Sequence, residues 1–452
     1  MDRPPTSRAL TAPRTSGRPG ALRAVVVGSG IGGLTAAVAL HRTGWHVTVL
    51  ERAGELLPVG AGIGLAPNAL RALDVIGLGD EIRALAAWQG DGGLRTPGGR
   101  WLARTDARAA ADRFGDPLVL VHRATLIDAL AAGLPPDALR TGSAATLTDP
   151  GVAHGRRAVV TTPDGDIEAD LVIGADGIGS AVRRALFPSR PGPEYAGLTS
   201  WRMVVPAPRK PFPPHETWGR GALWGTQPLK DGRVYAYAAA AAPEGDRSPD
   251  GERAELLRRF GNWHDPVPAI LAACGEDRIL RHDIHHLTTP LPAFHQGRAV
   301  LLGDAAHPMA PTLGQGGNQA IEDGIVLAHH LAAPADLGAA LAAYSADRLP
   351  RTTAVVRKAA RVARLQTRTG APFVLLRDAL ITLAGFGPGL ALRTFDGIAD
   401  WRPPQGTYAA RTYDHQDRPD HRHDRHRPAG RESAVHQDPR GPQGGRDRQV
   451  PR

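Results

Sequence analysis

The 452-residue chain is long enough for one large or two moderate domains, and its formal net charge of +9 lies mainly at its ends, with +4 in residues 1–23 and +4 in residues 401–452. Because these Pro-, Arg- and Gly-rich ends contain few apolar residues, we expect a disordered leader over 1–22 and a disordered tail over 401–452. The body between them is close to neutral, which argues against a nucleic-acid partner. The single cysteine, Cys274, excludes an internal disulfide framework and favours a cytoplasmic location. The sequence has no run of about eighteen apolar residues, which argues against stable membrane insertion.

A dinucleotide-binding βαβ unit opens the body of the chain. An apolar strand leads into a G-x-G-x-x-G turn, an alanine-rich helix and a second strand that ends at Glu51 and Arg52. Gly28 permits the tight turn, Gly30 lets the backbone approach a pyrophosphate, and Gly33 lets the helix pack closely on the sheet. The helix N-terminus would face the phosphates. Glu51 is placed to accept hydrogen bonds from ribose hydroxyls and disfavours a 2′-phosphate, so the nucleotide is FAD or NAD.

Two further apolar strands end at glycine turns. The first ends at Asp176 and Gly177, and a helix follows. The second ends at Gly303 and Asp304, and a proline-containing loop then leads to a Gly-Gln-Gly-Gly turn at 314–317 that starts a long helix. All three turns would lie at the carboxyl ends of strands, where one extended cofactor could contact them together.

With these motifs in this order, the chain resembles the class A FAD-dependent aromatic monooxygenases, which include p-hydroxybenzoate, salicylate and urate hydroxylases, over about residues 20–365. The resemblance implies an α/β fold with a discontinuous Rossmann-like FAD-binding domain, an antiparallel β-sheet substrate domain and C-terminal helices. It assigns the ADP half of FAD to the first motif, both FAD and NAD(P)H to the second, and the ribityl chain to Asp304. The expected cofactor-binding residues are Gly28, Gly30, Gly33, Glu51, Arg52, Arg123, Asp176, Gly177, Gly303, Asp304, Gly316, Gly317 and Asn318.

The spacing of the motifs divides the chain into expected domains. These are a FAD-binding domain over 23–77, 106–190 and 286–365, a substrate domain over 78–105 and 191–285, and a C-terminal helical segment over 366–400. Alternating polarity around 199–205 and 232–238 predicts antiparallel strands that would lie over the flavin. The candidate pocket residues on and near these strands are Trp201, Arg202, Trp218, Trp224, Tyr235 and Tyr237.

The expected chemistry requires no protein nucleophile, because the flavin supplies the reactive atom. The helix after residues 314–317 would direct N–H groups and a positive dipole end towards the negatively charged pyrimidine edge of reduced flavin. Reaction with O2 then gives a C4a-hydroperoxide, while the protein excludes water and holds an electron-rich substrate nearby. The residues expected at the reaction site are Pro311, Gly314, Gln315, Gly316, Gly317 and Arg202.

These observations predict a cytoplasmic FAD-dependent monooxygenase, a monomer or homodimer, that uses NADH or NADPH and O2 to hydroxylate or epoxidise a small aromatic or polyene-like substrate. Two alternatives stay open, namely a flavin oxidoreductase of the same fold that inserts no oxygen, and a poorly catalytic flavin-binding sensor. Urate is a doubtful substrate because Leu223 stands where urate hydroxylases carry an arginine in a Gly-x-Gly-x-Arg pattern.

Other polar residues are interpreted as structural. No general base is evident, and we expect the three histidines at 282, 285 and 286 to be core or surface residues. Tyr344, Arg348 and Arg351 resemble a family helix that closes the fold. The tail histidines between 421 and 426 lack metal-ligand spacing, so no metal is expected.

Overall fold

The computed structural model describes residues 21–56, 61–86, 92–105, 107–332, 336–385 and 391–405. Most of the expected leader and tail, including the histidines between 421 and 426, lie outside the described residues. No helix in the described ranges has the length and apolar character needed to cross a membrane.

The strands, in chain order, are β1 (Arg23–Val27), β2 (His46–Leu50), β3 (Gly62–Leu65), β4 (Gly92–Arg95), β5 (Trp101–Thr105), β6 (Val119–His122), β7 (Leu139–Arg140), β8 (Thr146–Asp149), β9 (Ala158–Thr162), β10 (Gly165–Ala169), β11 (Leu171–Gly174), β12 (Glu194–Pro206), β13 (His215–Trp218), β14 (Ala222–Pro228), β15 (Arg233–Ala241), β16 (Leu280–His286), β17 (His295–Gln296) and β18 (Ala299–Leu301). The α-helices are α1 (Ile31–Arg42), α2 (Pro67–Val75), α3 (Gly79–Arg83), α4 (Ala107–Phe114), α5 (Arg123–Ala131), α6 (Ala181–Leu186), α7 (Glu252–Phe260), α8 (Val267–Ala273), α9 (Gly316–His330), α10 (Leu337–Gln366) and α11 (Ala371–Gly385). Short 3-10 helices cover Glu276–Arg278, Gly303–Ala305, Pro311–Leu313 and Ala391–Phe395.

A six-stranded sheet in the order β17-β18-β11-β1-β2-β7 forms the centre of the first layer. Its strands run parallel except β17, which pairs antiparallel with β18. Parallel sheets are covered on both faces, which explains the continuous valine run that ends β1. The ends of β1, β11 and β18 lie at one edge, so the three predicted glycine turns meet there. The α/β fold expected from the sequence is confirmed.

A seven-stranded sheet in the order β16-β12-β15-β14-β13-β4-β5 forms the second layer. All but one of its neighbouring strand pairs are antiparallel, as expected from the sequence. The exception is β13, which pairs parallel with β4. Because β4 comes from an earlier segment of the chain, no hairpin fixes its direction relative to β13. A two-stranded ribbon of β3 and β6 and a three-stranded sheet of β8, β9 and β10 complete the strands.

The two faces of the second sheet have different neighbours. The outer face packs against α7 and α8, and the inner face lies on the opposite side, beside Leu313. Trp201 and Trp224 point to the outer face and are buried with Phe260 in a separate apolar core. The indole of Trp201 donates to Glu252 (2.6 Å) and that of Trp224 donates to Thr226 (3.1 Å). Their prediction as pocket residues was therefore wrong, because alternation identifies the two faces of a strand without telling which face meets the ligand.

The expected C-terminal helices are present as α10 and α11. Tyr344 of α10 donates its hydroxyl to the carbonyl of Leu301 (3.1 Å), which joins this helix to β18. Trp401, the first residue of the expected tail, packs against the nucleotide-binding core, and its carbonyl accepts a hydrogen bond from Arg71 (3.0 Å). The chain is thus held to the core as far as this tryptophan.

Candidate active site

The first glycine turn has the steric form that the sequence predicts. Gly28 has φ +105°, and a Cβ there would lie 2.5 Å from the carbonyl oxygen of Ala175. A Cβ on Gly33 would lie 2.2 Å from the carbonyl oxygen of Gly28, whereas a Cβ on Gly30 would meet open space. Helix α1 begins after Gly30 without a side-chain cap, so its first N–H groups are available to a phosphate.

Glu51 lies at the end of β2 and is fixed against this turn. One carboxylate oxygen accepts from the N–H (3.0 Å) and hydroxyl (2.7 Å) of Ser29, and the other accepts from the N–H of Ala53 (2.9 Å). Burial acts to raise the pKa of Glu51, but these hydrogen bonds and the charge of Arg52 outweigh it, and the pKa is lowered. Arg52 itself is exposed. The ionised Glu51 carboxylate keeps lone pairs for ribose hydroxyls.

The second motif packs directly on the first but uses its carboxylate locally. Asp176 accepts from the hydroxyl of Ser180 (2.5 Å) and from the N–H groups of Ala181 (2.7 Å) and Val182 (3.1 Å). The side chain thereby satisfies the start of α6, where Ser180 is the N-cap. Gly177 has φ +78° and open space beside it. A cofactor contact by Asp176 stays a prediction, and the structure gives this residue a helix-capping role.

Asp304 and Arg123 lie close enough at the same sheet edge for their charges to interact. Asp304 follows β18 at Gly303, and its side chain is exposed although protein surrounds it, so it lies in a recess of the surface that is called the cleft below. Burial raises the pKa of Asp304, opposed by the positive charges of His307, Arg123 and two further arginines. Arg123 begins α5 and is half-buried, and burial lowers its pKa while Asp304 opposes the shift. A carboxylate and a guanidinium at such a recess are groups suited to bind hydroxyl groups.

The turn at 314–317 lies beside Asp304, because a Cβ on Gly316 would be 3.9 Å from Oδ1 of Asp304. Gly314 adopts the left-handed conformation with φ +63°, and α9 begins two residues later with Gln315 as an N-cap that makes no side-chain cap bond. The N–H groups of Gly316 and Gly317 therefore lie at an open helix N-terminus. A Cβ on Gly317 would lie 2.6 Å from Ile63 of β3, so this turn packs tightly on the ribbon. Pro311 is exposed just before it.

Asn318 and Gln315 hold the turn in place through side chains that are fully buried. Asn318 accepts from the N–H of Ala66 (2.8 Å) and donates to the carbonyls of Gly64 (2.9 Å) and Gly314 (2.7 Å). Gln315 accepts from the amide of Asn68 (3.1 Å). Both residues were predicted at the site, and the structure gives their side chains the task of positioning the backbone around it.

A buried charge network beneath the turn was not predicted from the sequence. Arg348 donates to Asp323 (2.6 Å) and to Glu322 (2.6 Å), and all three side chains are almost completely buried. Asp323 also accepts from the N–H of Gly303 (2.8 Å) and bonds to His307 (2.6 Å). The adjacent acids Glu322 and Asp323 in the middle of a long, mostly buried helix were the available signal. The structural interpretation of Arg348 agrees with these contacts.

The inner face of the second sheet looks towards the loop that precedes the turn. Trp218 and Tyr237 pack beside an apolar cluster that includes Leu223 and Leu313. Between them lies Glu216, a carboxyl group that sequence reasoning missed. Arg202 points to the same face, and its Nε atom is buried without a hydrogen-bond partner in the described part of the chain. With Tyr235, whose ring lies 5.5 Å from that of Tyr237, four of the predicted pocket residues thus share one face with an unpredicted acid.

The described ranges contain no group of three or more His, Cys, Asp or Glu side chains arranged to hold a metal ion. The histidines of β16 lie at the edge of the second sheet. His285 bonds to Glu244 (2.7 Å), and His286 lies 3.6 Å from Glu194, so both have structural partners.

Comparison with known proteins gives consistent matches along most of the chain. The family model described as "FAD binding domain" matches residues 21–359. Aurachin C monooxygenase/isomerase of Stigmatella aurantiaca is 39% identical over 349 residues, which cover 76% of this chain and 89% of that protein. The 3-amino-4-hydroxybenzoate 2-monooxygenase of Streptomyces cremeus is 38% identical over 352 residues, or 76% of this chain and 87% of that protein. The crystal structure of Klebsiella pneumoniae HpxO with FAD and uric acid matches with a TM-score of 0.76 and 28% identity, covering 84% of this chain and 96% of that one.

Proposed function

The chain belongs to the FAD-binding-domain family and is a FAD-dependent monooxygenase that uses NADH or NADPH and O2, and from this premise we propose that it hydroxylates an aromatic ring bearing an ionisable hydroxyl group. Bound FAD supplies the electrons and activates the oxygen, and the protein contributes binding, orientation and electrostatics. The observation that carries the proposal is the inner face of the second sheet, where aromatic rings and a buried carboxyl group lie beside the loop that leads to Gly314.

The residues proposed to hold FAD are those around the cleft. The N-terminus of α1 would bind the pyrophosphate, Glu51 the adenosine ribose, and Asp304 with Arg123 the ribityl region. The open N-terminus of α9 at Gly316 and Gly317 would stabilise negative charge on the flavin ring.

Arg202 is proposed to bind an anionic group of the substrate. Its unpartnered Nε atom faces the inner side of the sheet, and its charge acts on the nearby Asp304, Arg123 and Tyr235. A guanidinium with an unused donor is suited to a carboxylate or oxyanion. Pro311, Gly314 and Gln315 are proposed to shape the opposite wall.

The surroundings of Leu223 narrow the proposed substrate class. Leu223 is buried among Met309, Ala310 and Leu313, which form an apolar wall. A substrate with polar atoms on every edge, such as urate, would leave some of them unpaired there, and an unpaired buried polar group costs about 1–3 kcal/mol. We therefore propose a ring with one apolar edge. The chemistry of 3-amino-4-hydroxybenzoate, named for a relative, is compatible with this class.

Substrate-stimulated oxidation of NADH and of NADPH tests the proposal. The FAD-loaded protein would be assayed in air with a panel of phenols and hydroxylated nitrogen heteroaromatics, with ¹⁸O₂ used to label products. We expect at least one member to accelerate nicotinamide oxidation and to gain one labelled oxygen atom on the ring. Rapid nicotinamide oxidation without labelled product across the panel would contradict the proposed substrate class.

Glu51→Gln is expected to weaken FAD binding about tenfold, because a charge-assisted hydrogen bond is worth about 1.5–3 kcal/mol and the amide recovers part of it. FAD fluorescence quenching on titration into apoprotein would measure the affinity. Glu55→Gln is the matched control, since Glu55 is exposed in the same loop. Equal affinities for the two variants would remove Glu51 from the ribose site.

We also propose a cytoplasmic location and a monomeric or homodimeric state. The one cysteine of the chain, Cys274, is buried as a free thiol, which suits a reducing compartment.

A further inference from the structure

We propose that Glu216 and Tyr237 form a proton-accepting pair that takes the proton of the substrate hydroxyl group and so makes the ring electron-rich before oxygen transfer. The inference rests on the proposed function and names the base that the sequence did not reveal.

The register of the second sheet places the pair on the inner face. Directly opposite residues of paired strands share a face. One row therefore runs across four strands, from Arg202 on β12 to Tyr237 on β15, Gly225 on β14 and Glu216 on β13. Arg202 and the pair thus lie on the same face of the sheet.

Gly225 allows the two side chains to meet. A Cβ at this position would lie 2.0 Å from Cζ of the Tyr237 ring, so the ring lies flat across the glycine. The Tyr237 hydroxyl then donates to Oε1 of Glu216 at 2.5 Å. The side chain of Gln227 forms a further hydrogen bond to the Tyr237 hydroxyl.

The environment of Glu216 makes it a stronger base than a surface carboxylate. Burial raises the pKa of Glu216, opposed by the hydrogen bonds from Tyr237 and from the indole of Trp218, which donates to Oε2 at 2.9 Å. Two cations lie on elements around it, Arg202 in the same row and Arg377 of α11, which lies over the Trp218 ring at 5.6 Å and pairs with Asp378. Neither acts on the pKa of Glu216.

The contrast with Asp323 separates a functional carboxyl group from a structural one. Asp323 is fully buried and is paired with Arg348 and His307, and its pKa is lowered. A buried carboxylate without a cation is costly, and such groups with perturbed pKa values occur preferentially at functional sites. Glu216 has two neutral donors in place of a cation, which fits a group that must gain a proton.

The position of Tyr237 connects the pair to the cofactor side. Its ring packs at the edge of the apolar cluster that contains Met309, Ala310 and Leu313, in the loop before Gly314. Tyr235 lies beside it with ring centroids 5.5 Å apart and covers Gly62 of the β3–β6 ribbon. A ring held between the sheet and this loop would have its hydroxyl group within reach of Tyr237.

The proposed step is a proton transfer with no change in electrons. The substrate O–H bond breaks and its proton binds Oη of Tyr237, while the original Tyr237 proton moves to Oε1 of Glu216. The products are a substrate oxyanion, a neutral tyrosine and a neutral Glu216. General-base proton transfer of this kind needs only the pair itself, and Arg202 lies at the other end of the row.

The proposed proton transfer is tested by measuring how many protons the protein releases to solvent when it binds 4-nitrophenol. With the FAD-loaded protein at a pH one unit below the pKa of the free phenol, absorbance measures the phenolate formed, and calorimetry in two buffers of different ionisation enthalpy measures protons released to solvent. We expect phenolate to form in the parent with almost no proton release, because the protein retains about one proton per phenolate. Glu216→Gln and Tyr237→Phe should each reduce that retained proton to near zero.

Trp218→Phe is the matched control, because it removes the other donor to Glu216 and leaves both members of the pair. It should retain about one proton per phenolate, as the parent does. Equal phenolate formation and proton release in the parent, or no binding of 4-nitrophenol, would overturn the pair. FAD content and reduction by NADH and NADPH, measured on the same samples, report separately on the proposed function.

Discussion

Arg348→Met is expected to lower the free energy of unfolding by about 3–5 kcal/mol, because it leaves two buried carboxylates without their shared cation. Arg348 is 1% exposed, and its partners Glu322 and Asp323 are fully buried. Methionine fills much of the volume, so the loss is electrostatic and not a cavity. Urea unfolding of the FAD-loaded protein at fixed FAD concentration would measure the change.

Arg351→Met is the control for this prediction. Arg351 also binds Glu322 (2.7 Å) but keeps 17% of its side chain exposed, and Glu322 retains Arg348 when Arg351 is removed. We expect a loss of about 1 kcal/mol, as for a partly exposed ion pair. Similar losses in the two variants would show that burial of the network does not determine its contribution.

The same network predicts a pH dependence. Burial acts to raise the pKa of Asp323, but His307 and Arg348 outweigh it and the folded-state pKa is lowered from 3.8. A lowered carboxyl pKa stabilises the fold above the unfolded value, and this contribution is lost as pH falls through the folded value. Arg348→Met should therefore move acid unfolding to higher pH, which circular dichroism at stepped pH would detect.

Asp304→Ala is expected to weaken FAD binding by roughly ten- to a hundredfold, which corresponds to about 1.5–3 kcal/mol for hydrogen bonds to a charged group. The carboxylate faces the cleft beside Arg123, where the ribityl hydroxyls would lie. Because burial raises the pKa of Asp304, FAD affinity in the parent should fall as pH decreases through that raised value, and this pH dependence should vanish in the variant. Fluorescence titration of apoprotein over a pH series would measure both effects.

Asp304→Asn separates charge from shape, since it keeps an acceptor oxygen and should bind FAD with intermediate affinity. Asp164→Ala, in an exposed turn, controls for the loss of one negative charge. Full FAD affinity in Asp304→Ala would place the ribityl chain elsewhere.

Local steric demands explain which features the sequence could predict. Gly28 and Gly33 are required by contacts with backbone a few residues away or at the adjacent strand, so their pattern is visible in the chain itself. The order of the three turns then indicates the sheet edge at which a dinucleotide lies. The family, the fold and the cofactor follow from these short segments.

Tertiary register explains what the sequence could not predict. Glu216 and Tyr237 are 21 residues apart, and only the pairing of β13, β14 and β15 brings them into one row. The sequence predicts the strand that contains Trp201 but not which face of the sheet this residue occupies. Successive residues of a strand point to opposite faces, so an error of one residue moves a side chain from one face to the other. Asp176 shows a second reason why sequence-based site prediction can fail. A carboxylate in a cofactor motif can instead accept hydrogen bonds from the first N–H groups of the helix that follows it.

The chain order of the first sheet has a consequence during synthesis on the ribosome. Helix α1 is buried along most of its length and packs against α9, and β11 pairs with β18, yet both partners lie near the C-terminal end of the fold. At translation rates of about 5–20 residues per second, roughly 15–60 s pass before residue 301 is added. The βαβ unit, complete at residue 50, therefore waits about 14–56 s for the end of α9 at residue 330, and during that time one apolar face lacks its cover. A chaperone that binds apolar helices has its best opportunity in this interval.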